Sequence, residues 1–131
     1  MPSIFSRIIS GEIPSVKVHE DELTLAIMDI NPIQKGQILV FPKNEVGTVW
    51  ELPSRDYLAL MDTVQKAGIS LTKLYPDKKI GMMIEGLEVT DHAHVKVFPF
   101  SSISEYHAAP DSASAPSVNE LEQLAKQLRF W

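Results

Sequence analysis

The sequence predicts an α+β domain on a five-stranded antiparallel sheet. Short apolar runs with a period of two recur along the chain, each bounded by turn residues. Two longer segments carry apolar residues at helical spacing, and they stand apart from the strands instead of alternating with them. Hydrophobic residues make up 44% of the chain and charged residues 22%, with no cysteine, so a hydrocarbon core without disulfides is expected.

The elements follow in chain order. Ile4, Phe5, Ile8 and Ile9 sit at helical spacing behind Ser3, and Gly11 and Pro14 end that segment after one or two turns. Ser15 to His19 places Val16 and Val18 on one strand face. After the polar turn Glu20-Asp21-Glu22, Leu23, Leu25 and Ile27 alternate again, which reads as a β-hairpin. Asn31-Pro32 interrupts it. A third strand, Gln37 to Phe41, follows Gly36 and stops at Pro42; its apolar run is nearly continuous, so both of its faces should be covered. The clearest helix starts at Ser54 as N-cap, with Asp56 in its first turn and a stripe of Tyr57, Leu60, Met61, Val64, Ala67, Gly68 and Leu71. Two short strands, Ile80 to Ile84 and His92 to Phe98, flank Gly86. His107 to Ser117 (HAAPDSASAPS) reads as a loop or mobile linker. Ser117-Val118-Asn119-Glu120 is a capping box opening a final helix over 118–129, with Leu121, Leu124, Ala125 and Leu128 on one face.

The length of 131 residues suits one domain spanning the chain. A net charge of −5 with dispersed lysines argues against general nucleic-acid binding. No apolar run approaches the ~20 residues of a membrane span. The opening MPSIFSRIISGEIP has neither the basic start nor the apolar run of a signal sequence. A soluble, cytoplasmic protein is expected, with His19 and His107 on its surface.

The stretch Asp91-His92-Ala93-His94-Val95-Lys96-Val97-Phe98-Pro99 carries the chemistry. Strand alternation puts His92, His94 and Lys96 on one face about 7 Å apart, and Ala93, Val95 and Val97 on the other. Read alone, such a row is a solvated strand face, a His-x-His metal pair or a phosphate-handling surface. A metal would need a third ligand, for which Asp91, Glu88 and His107 are the candidates. Lys96 would repel a divalent cation, so no metal and no cofactor are expected.

The wider pattern resembles the histidine triad (HIT) family of nucleotide hydrolases and transferases. Ser3-Ile4-Phe5-Ser6-Arg7-Ile8-Ile9-Ser10-Gly11-Glu12-Ile13-Pro14 is similar to the family's opening segment. Asp29-Ile30-Asn31-Pro32, then Gly36, then Leu39-Val40-Phe41-Pro42-Lys43, is similar to its central block. His92-x-His94-x-Lys96-x-x-Pro99 resembles its His-x-His-x-His signature. The resemblance implies a five-stranded antiparallel sheet with two main helices, continuous across a homodimer. It implies catalytic positions at His94, His92 and Lys96, with His94 as nucleophile and His92 orienting it. An imidazole of ordinary pKa near ~6.5 is largely neutral at pH 7 and can hold a nucleotidyl group as a phosphoramidate. The resemblance further implies Asp29 as the grip on the ribose hydroxyls, and Ile4, Phe5, Ile8, Ile27 and Ile30 as the apolar wall around the base. The expected partner is a small-molecule nucleotide. The activity implied is hydrolysis or nucleotidyl transfer at the α-phosphate of purine nucleotide esters, anhydrides or phosphoramidates. The alternative is a catalytically weak or inactive nucleotide-binding module.

Several positions depart from the family pattern. Lys96 stands where the third histidine belongs. It can stabilise charge on a phosphate oxygen but shuttles protons poorly near neutrality. One branch, the hexose-1-phosphate uridylyltransferases, carries glutamine there. Ser3 and Ser6 replace a Cys-x-x-Cys that many members use for zinc, and Glu45 replaces a histidine, which argues against structural zinc. Glu85 to Val89 is altered where members contact phosphate, and one extra residue separates Val89 from His92.

Overall fold

A computed structural model of the chain describes residues 2–84 and 92–130. The altered segment Glu85 to Val89 and the candidate ligand Asp91 lie outside the described residues. In order, the elements are α1 (Ile4–Ile9), β1 (Lys17–Glu20), β2 (Thr24–Met28), β3 (Ile38–Pro42), α2 (Ser54–Leu74), β4 (Lys79–Ile84), β5 (Val95–Phe100), α3 (Ile103–Tyr106) and α4 (Val118–Leu128), with 3₁₀ turns at Val49–Glu51 and Ser112–Ser114. The strands form one five-stranded sheet in the order β1-β2-β3-β5-β4, and every neighbouring pair is antiparallel. The α+β class read from the sequence is the observed one. No helix among the described residues is long and apolar enough to cross a membrane.

Alternation divides the sheet into two faces. Val16, Val18, Ala26, Met28, Ile38, Val40, Val95 and Val97 pack with α2 and α4 into the larger core. α2 contributes Leu60, Val64, Ala67 and Leu71, and α4 contributes Leu121, Ala125 and Leu128. Leu25, Ile27, Leu39 and Phe41 face the other way and pack with Phe5 and Ile8 of α1. β2 and β3 are therefore buried on both faces.

α1 is held at both ends. The Ser3 hydroxyl caps it by accepting from the Ser6 N–H at 3.0 Å. Past its C-cap, Gly11 turns the chain at φ 85°, and its N–H donates to the Ile8 carbonyl. The hairpin turn is fixed by the Asp21 carboxylate, which accepts from the Leu23 and Thr24 N–H groups. The Ser117 cap of α4 is present as predicted, accepting from the Glu120 N–H.

Other expectations are corrected. Ser54 is the first helical residue of α2, not its cap; Pro53 takes the cap position and supplies no side-chain bond. Pro42 ends β3 from within, paired with Thr24, because the ladder does not need the N–H that proline lacks. The segment expected as a loop holds the Ser112–Ser114 turn, capped by Asp111. His19 is not a surface residue. It is 7% exposed, stacks on Phe130 at 4.8 Å and meets Asp21 Oδ2 through Nε2 at 2.9 Å. Period-two alternation alone could not reveal the C-terminal ring that covers it.

Candidate active site

β5 begins at Val95, so His92 and His94 precede the strand instead of lying within it. The Ala93 N–H donates to the Val46 carbonyl at 2.7 Å, which takes this stretch out of the ladder. The side-chain alternation survives: Ala93, Val95 and Val97 enter the larger core, while Lys96 is paired with Leu39 on the α1 side. The solvated-face reading fails. His92, His94 and Lys96 are 0%, 1% and 2% exposed.

A cleft of about 240 Å³ opens on the α1 side. Ile4, Phe5 and Ile8 form one wall. Ile27, Asp29 and Ile30 form another, and His94 and Lys96 complete it. Every residue expected to be catalytic or to bind the nucleotide reaches this cleft except His92. Ile13, Pro14, Asn31 and Leu39 also line it. Ile30 is 70% exposed, an apolar side chain held at the mouth.

His92 lies behind the cleft, wedged edge-on against Phe5 and Phe41 at centroid distances of 5.6 and 5.8 Å. Its Nε2 is 2.7 Å from the Pro42 carbonyl. A carbonyl only accepts, so Nε2 carries the proton. Burial pushes the His92 pKa below its ordinary value, against the smaller opposing effects of the Pro42 bond and Glu45. His94 Nδ1 donates to the His92 carbonyl at 3.1 Å. In the neutral ring, Nε2 of His94 then bears the free lone pair. The ring is braced by Phe5 at 5.1 Å.

Asp29 is fixed through both oxygens. Oδ1 accepts from the Asn31 N–H at 2.8 Å and Oδ2 from Gln37 Nε2 at 2.6 Å. Gln37 is itself buried and accepts from the Ile33 N–H. A carboxylate oxygen has two lone pairs, so it can accept from a ligand hydroxyl as well as from a protein donor. The role of Gln37 was missed in the sequence; the one signal was a polar residue at the head of an apolar strand. His107, offered as a metal ligand, is exposed and packs on Tyr106. No group of three or more His, Cys, Asp or Glu side chains suited to a metal ion occurs among the described residues.

Residues 10–99 match the HIT domain. The chain belongs to the HIT family. It is 38% identical over 100 residues to an uncharacterised HIT-like protein of Methanocaldococcus jannaschii, covering 73% of this chain and 77% of that one. It is 29% identical over 133 residues to an adenosine 5′-monophosphoramidase of Schizosaccharomyces pombe, covering 98% and 96%. A solved HIT-like protein involved in cell-cycle regulation from Bartonella henselae superposes with a TM-score of 0.84 at 27% identity, covering 97% of this chain and 93% of that one. The HIT fold agrees with the sheet order and helix placement described above.

Proposed function

We propose that this HIT protein binds a purine nucleotide in the α1-side cleft and acts at its α-phosphate through a covalent nucleotidyl-His94. The observation that carries the reading is the tautomer of His94. Its Nδ1 proton is committed to the His92 carbonyl, which leaves an Nε2 lone pair on a ring lining the same cleft as Asp29 and Lys96.

The chemistry follows from these atoms. Nε2 attacks the α-phosphorus and forms a P–N bond, while the P–O or P–N bond to the leaving group breaks and its electron pair leaves with that group. Asp29 accepts hydrogen bonds from the ribose hydroxyls, and the isoleucine and phenylalanine walls enclose the base. The Lys96 ammonium stabilises the charge that develops on the phosphoryl oxygens. Water or another acceptor then attacks phosphorus, and Nε2 leaves with its lone pair restored. The S. pombe relative supports a phosphoramidate or related ester as substrate.

Lys96 favours a second reading, a module that binds nucleotide with little or no turnover, because an ammonium is a poor acid for the leaving group near neutrality. Mass spectrometry after mixing with adenosine 5′-phosphoramidate separates the two. An adenylyl adduct on His94 supports the enzyme; no adduct and unchanged turnover in His94→Ala reject it. Calorimetric binding of AMP without turnover supports the module, and no AMP binding ends both.

We further propose a homodimer in which the sheet continues across β4. That strand is an edge of the sheet, its Met82 and Ile84 are exposed, and Tyr57, Leu58 and Ile69 are exposed on neighbouring α2. A groove of about 400 Å³ lies between Met61 and Ile69 on α2 and Ile80 and Met82 on β4. Light scattering tests it: Met82→Lys should shift a dimeric mass to the monomer, and a monomeric wild type refutes it.

A further inference from the structure

Side chains from three separate segments meet at the start of α1, behind the cleft. Ser3 Oγ lies 2.7 Å from His92 Nδ1. Glu45 Oε1 accepts from the Ser3 N–H at 2.7 Å and from the Ser6 hydroxyl at 2.5 Å. The same oxygen is 4.0 Å from His92 Nδ1. The proton positions are set by the acceptors. Nε2 of His92 must donate to the Pro42 carbonyl, so Nδ1 of the neutral ring has only a lone pair and the Ser3 hydroxyl donates to it. The Ser6 hydroxyl and the Ser3 N–H hold the Glu45 carboxyl at a pKa of about 2, so it stays ionised and keeps accepting.

A helix cap needs only the bond from the Ser6 N–H to Ser3 Oγ. The bonds to Glu45 and His92 add nothing to capping, yet they join α1, the end of β3 and the histidine stretch. They also lead to the cleft, since the His92 backbone carbonyl is the group that takes the Nδ1 proton of His94.

We propose that Ser3 and Glu45 are positioning residues that pin the His92 ring, whose Nε2–H tautomer the Pro42 carbonyl sets, and thereby hold His94 with Nε2 turned to the cleft. Glu45 fixes the Ser3 backbone, Ser3 gives its hydroxyl proton to Nδ1, and the ring is pinned between that hydroxyl and the Pro42 carbonyl. The consequence of this pinning for turnover rests on His94 being the nucleophile; its existence does not.

The test uses ¹⁵N-histidine-labelled full-length protein without ligand, with turnover of adenosine 5′-phosphoramidate measured alongside. The wild-type spectrum should show one His92 form, protonated on Nε2 only. Ser3→Ala leaves Nε2 donating to Pro42 but removes the donor to Nδ1, so the Nδ1 resonance should move to that of an unbonded lone pair and kcat should fall about tenfold with KM within twofold; Ser3→Thr should restore both. Ser3→Asp separates the pinning from the cap. Aspartate caps a helix as well as serine but has no proton to give, so Nδ1 should take one from solvent and His92 should appear as imidazolium at neutral pH. A His92 whose Nδ1 resonance is unmoved in Ser3→Ala and which stays neutral in Ser3→Asp overturns the proposal, as does a loss of kcat that follows thermal stability while the spectrum stays unchanged. The spectra need no substrate. A wild type that forms no adenylyl adduct defeats the enzyme reading alone, and an unpinned His92 in an enzyme that does form the adduct defeats this proposal alone.

Discussion

The two faces of the sheet are covered in opposite ways. One is packed by the 21-residue α2 and by α4 with mostly aliphatic side chains, Tyr75 and Phe130 at its border, and hydrogen bonds from Thr63 to Thr24 and from Ser70 to the Leu128 carbonyl. The other is covered by a helix of six residues, and beside its small apolar cluster it buries His92, His94, Lys96 and Asp29. Burying polar groups costs stability unless each is hydrogen-bonded, and His92 and Asp29 are bonded through both of their polar side-chain atoms. The contrast shows a division of labour: the hydrocarbon face makes the fold stable, and the thin face spends some of that stability on a site with fixed proton positions.

Paired substitutions across the sheet test that division most strongly. His94→Ala should lower kcat on the order of 10⁴-fold, as removal of a nucleophile does, and, although the ring is buried, should leave the protein folded because it removes no contact between the sheet and α2 or α4. Leu60→Ala, at a fully buried position on α2, should cost about 2–5 kcal/mol in urea unfolding and leave kcat/KM of the folded protein unchanged. Activity lost with Leu60, or a fold lost with His94, would break the comparison.

Within the thin face, Lys96 and Asp29 should separate charge stabilisation from binding. Lys96→Met keeps the stem and removes the ammonium; kcat should fall about 10²-fold with KM nearly constant. Lys96→His should retain more activity than Lys96→Met, since imidazole also supplies a proton near neutrality. A pure KM effect would make Lys96 a binding group. Asp29→Asn should instead raise KM roughly tenfold, the worth of one good hydrogen bond to a charged acceptor, with kcat little altered. Nucleotides lacking the 2′ and 3′ hydroxyls should bind D29N and wild type equally, and a persistent difference would remove the ribose from the argument.

The thick face was the more legible in the sequence. Val16, Val18, Val95, Val97 and the α2 stripe announce themselves through periods of two and 3.6, because hydrocarbon burial depends on which way a side chain points and little else. The motif residues of the thin face were legible too, and Asp29, His94, Lys96 and the isoleucine walls do share one cleft. The bonds that hold them were not. Ser3 with His92 spans 89 residues and Ser3 with Glu45 spans 42, and no local spacing encodes such a pairing. The burial of His19 was hidden for the same reason, since its covering ring, Phe130, comes from the far end of the chain.

The smallest expected effect concerns the shape of the stability curve against pH. His92 has a folded pKa below its ordinary 6.5, so as pH falls the unfolded chain takes up a proton first, and stability is lost from about pH 6.5 downward to the folded value. Glu45 has a folded pKa of about 2 against an ordinary 4.5. Its contribution is therefore full above pH 4.5 and lost between there and pH 2. Glu20 and Asp21 are lowered as well, but both remain in Glu45→Gln, so subtracting the two curves isolates Glu45. The difference should be confined to the lower window and should shrink in high salt, because the carboxylate is solvent-exposed. Leu60→Ala should displace the whole curve downward without changing its shape, since no proton is bound or released on that face when Leu60 is truncated. Urea midpoints measured from pH 2 to 8 read all three curves. A Glu45→Gln curve parallel to wild type would show that the carboxylate does not hold the α1 junction, and a Leu60→Ala curve with a new inflection would show that the two faces are not energetically separate.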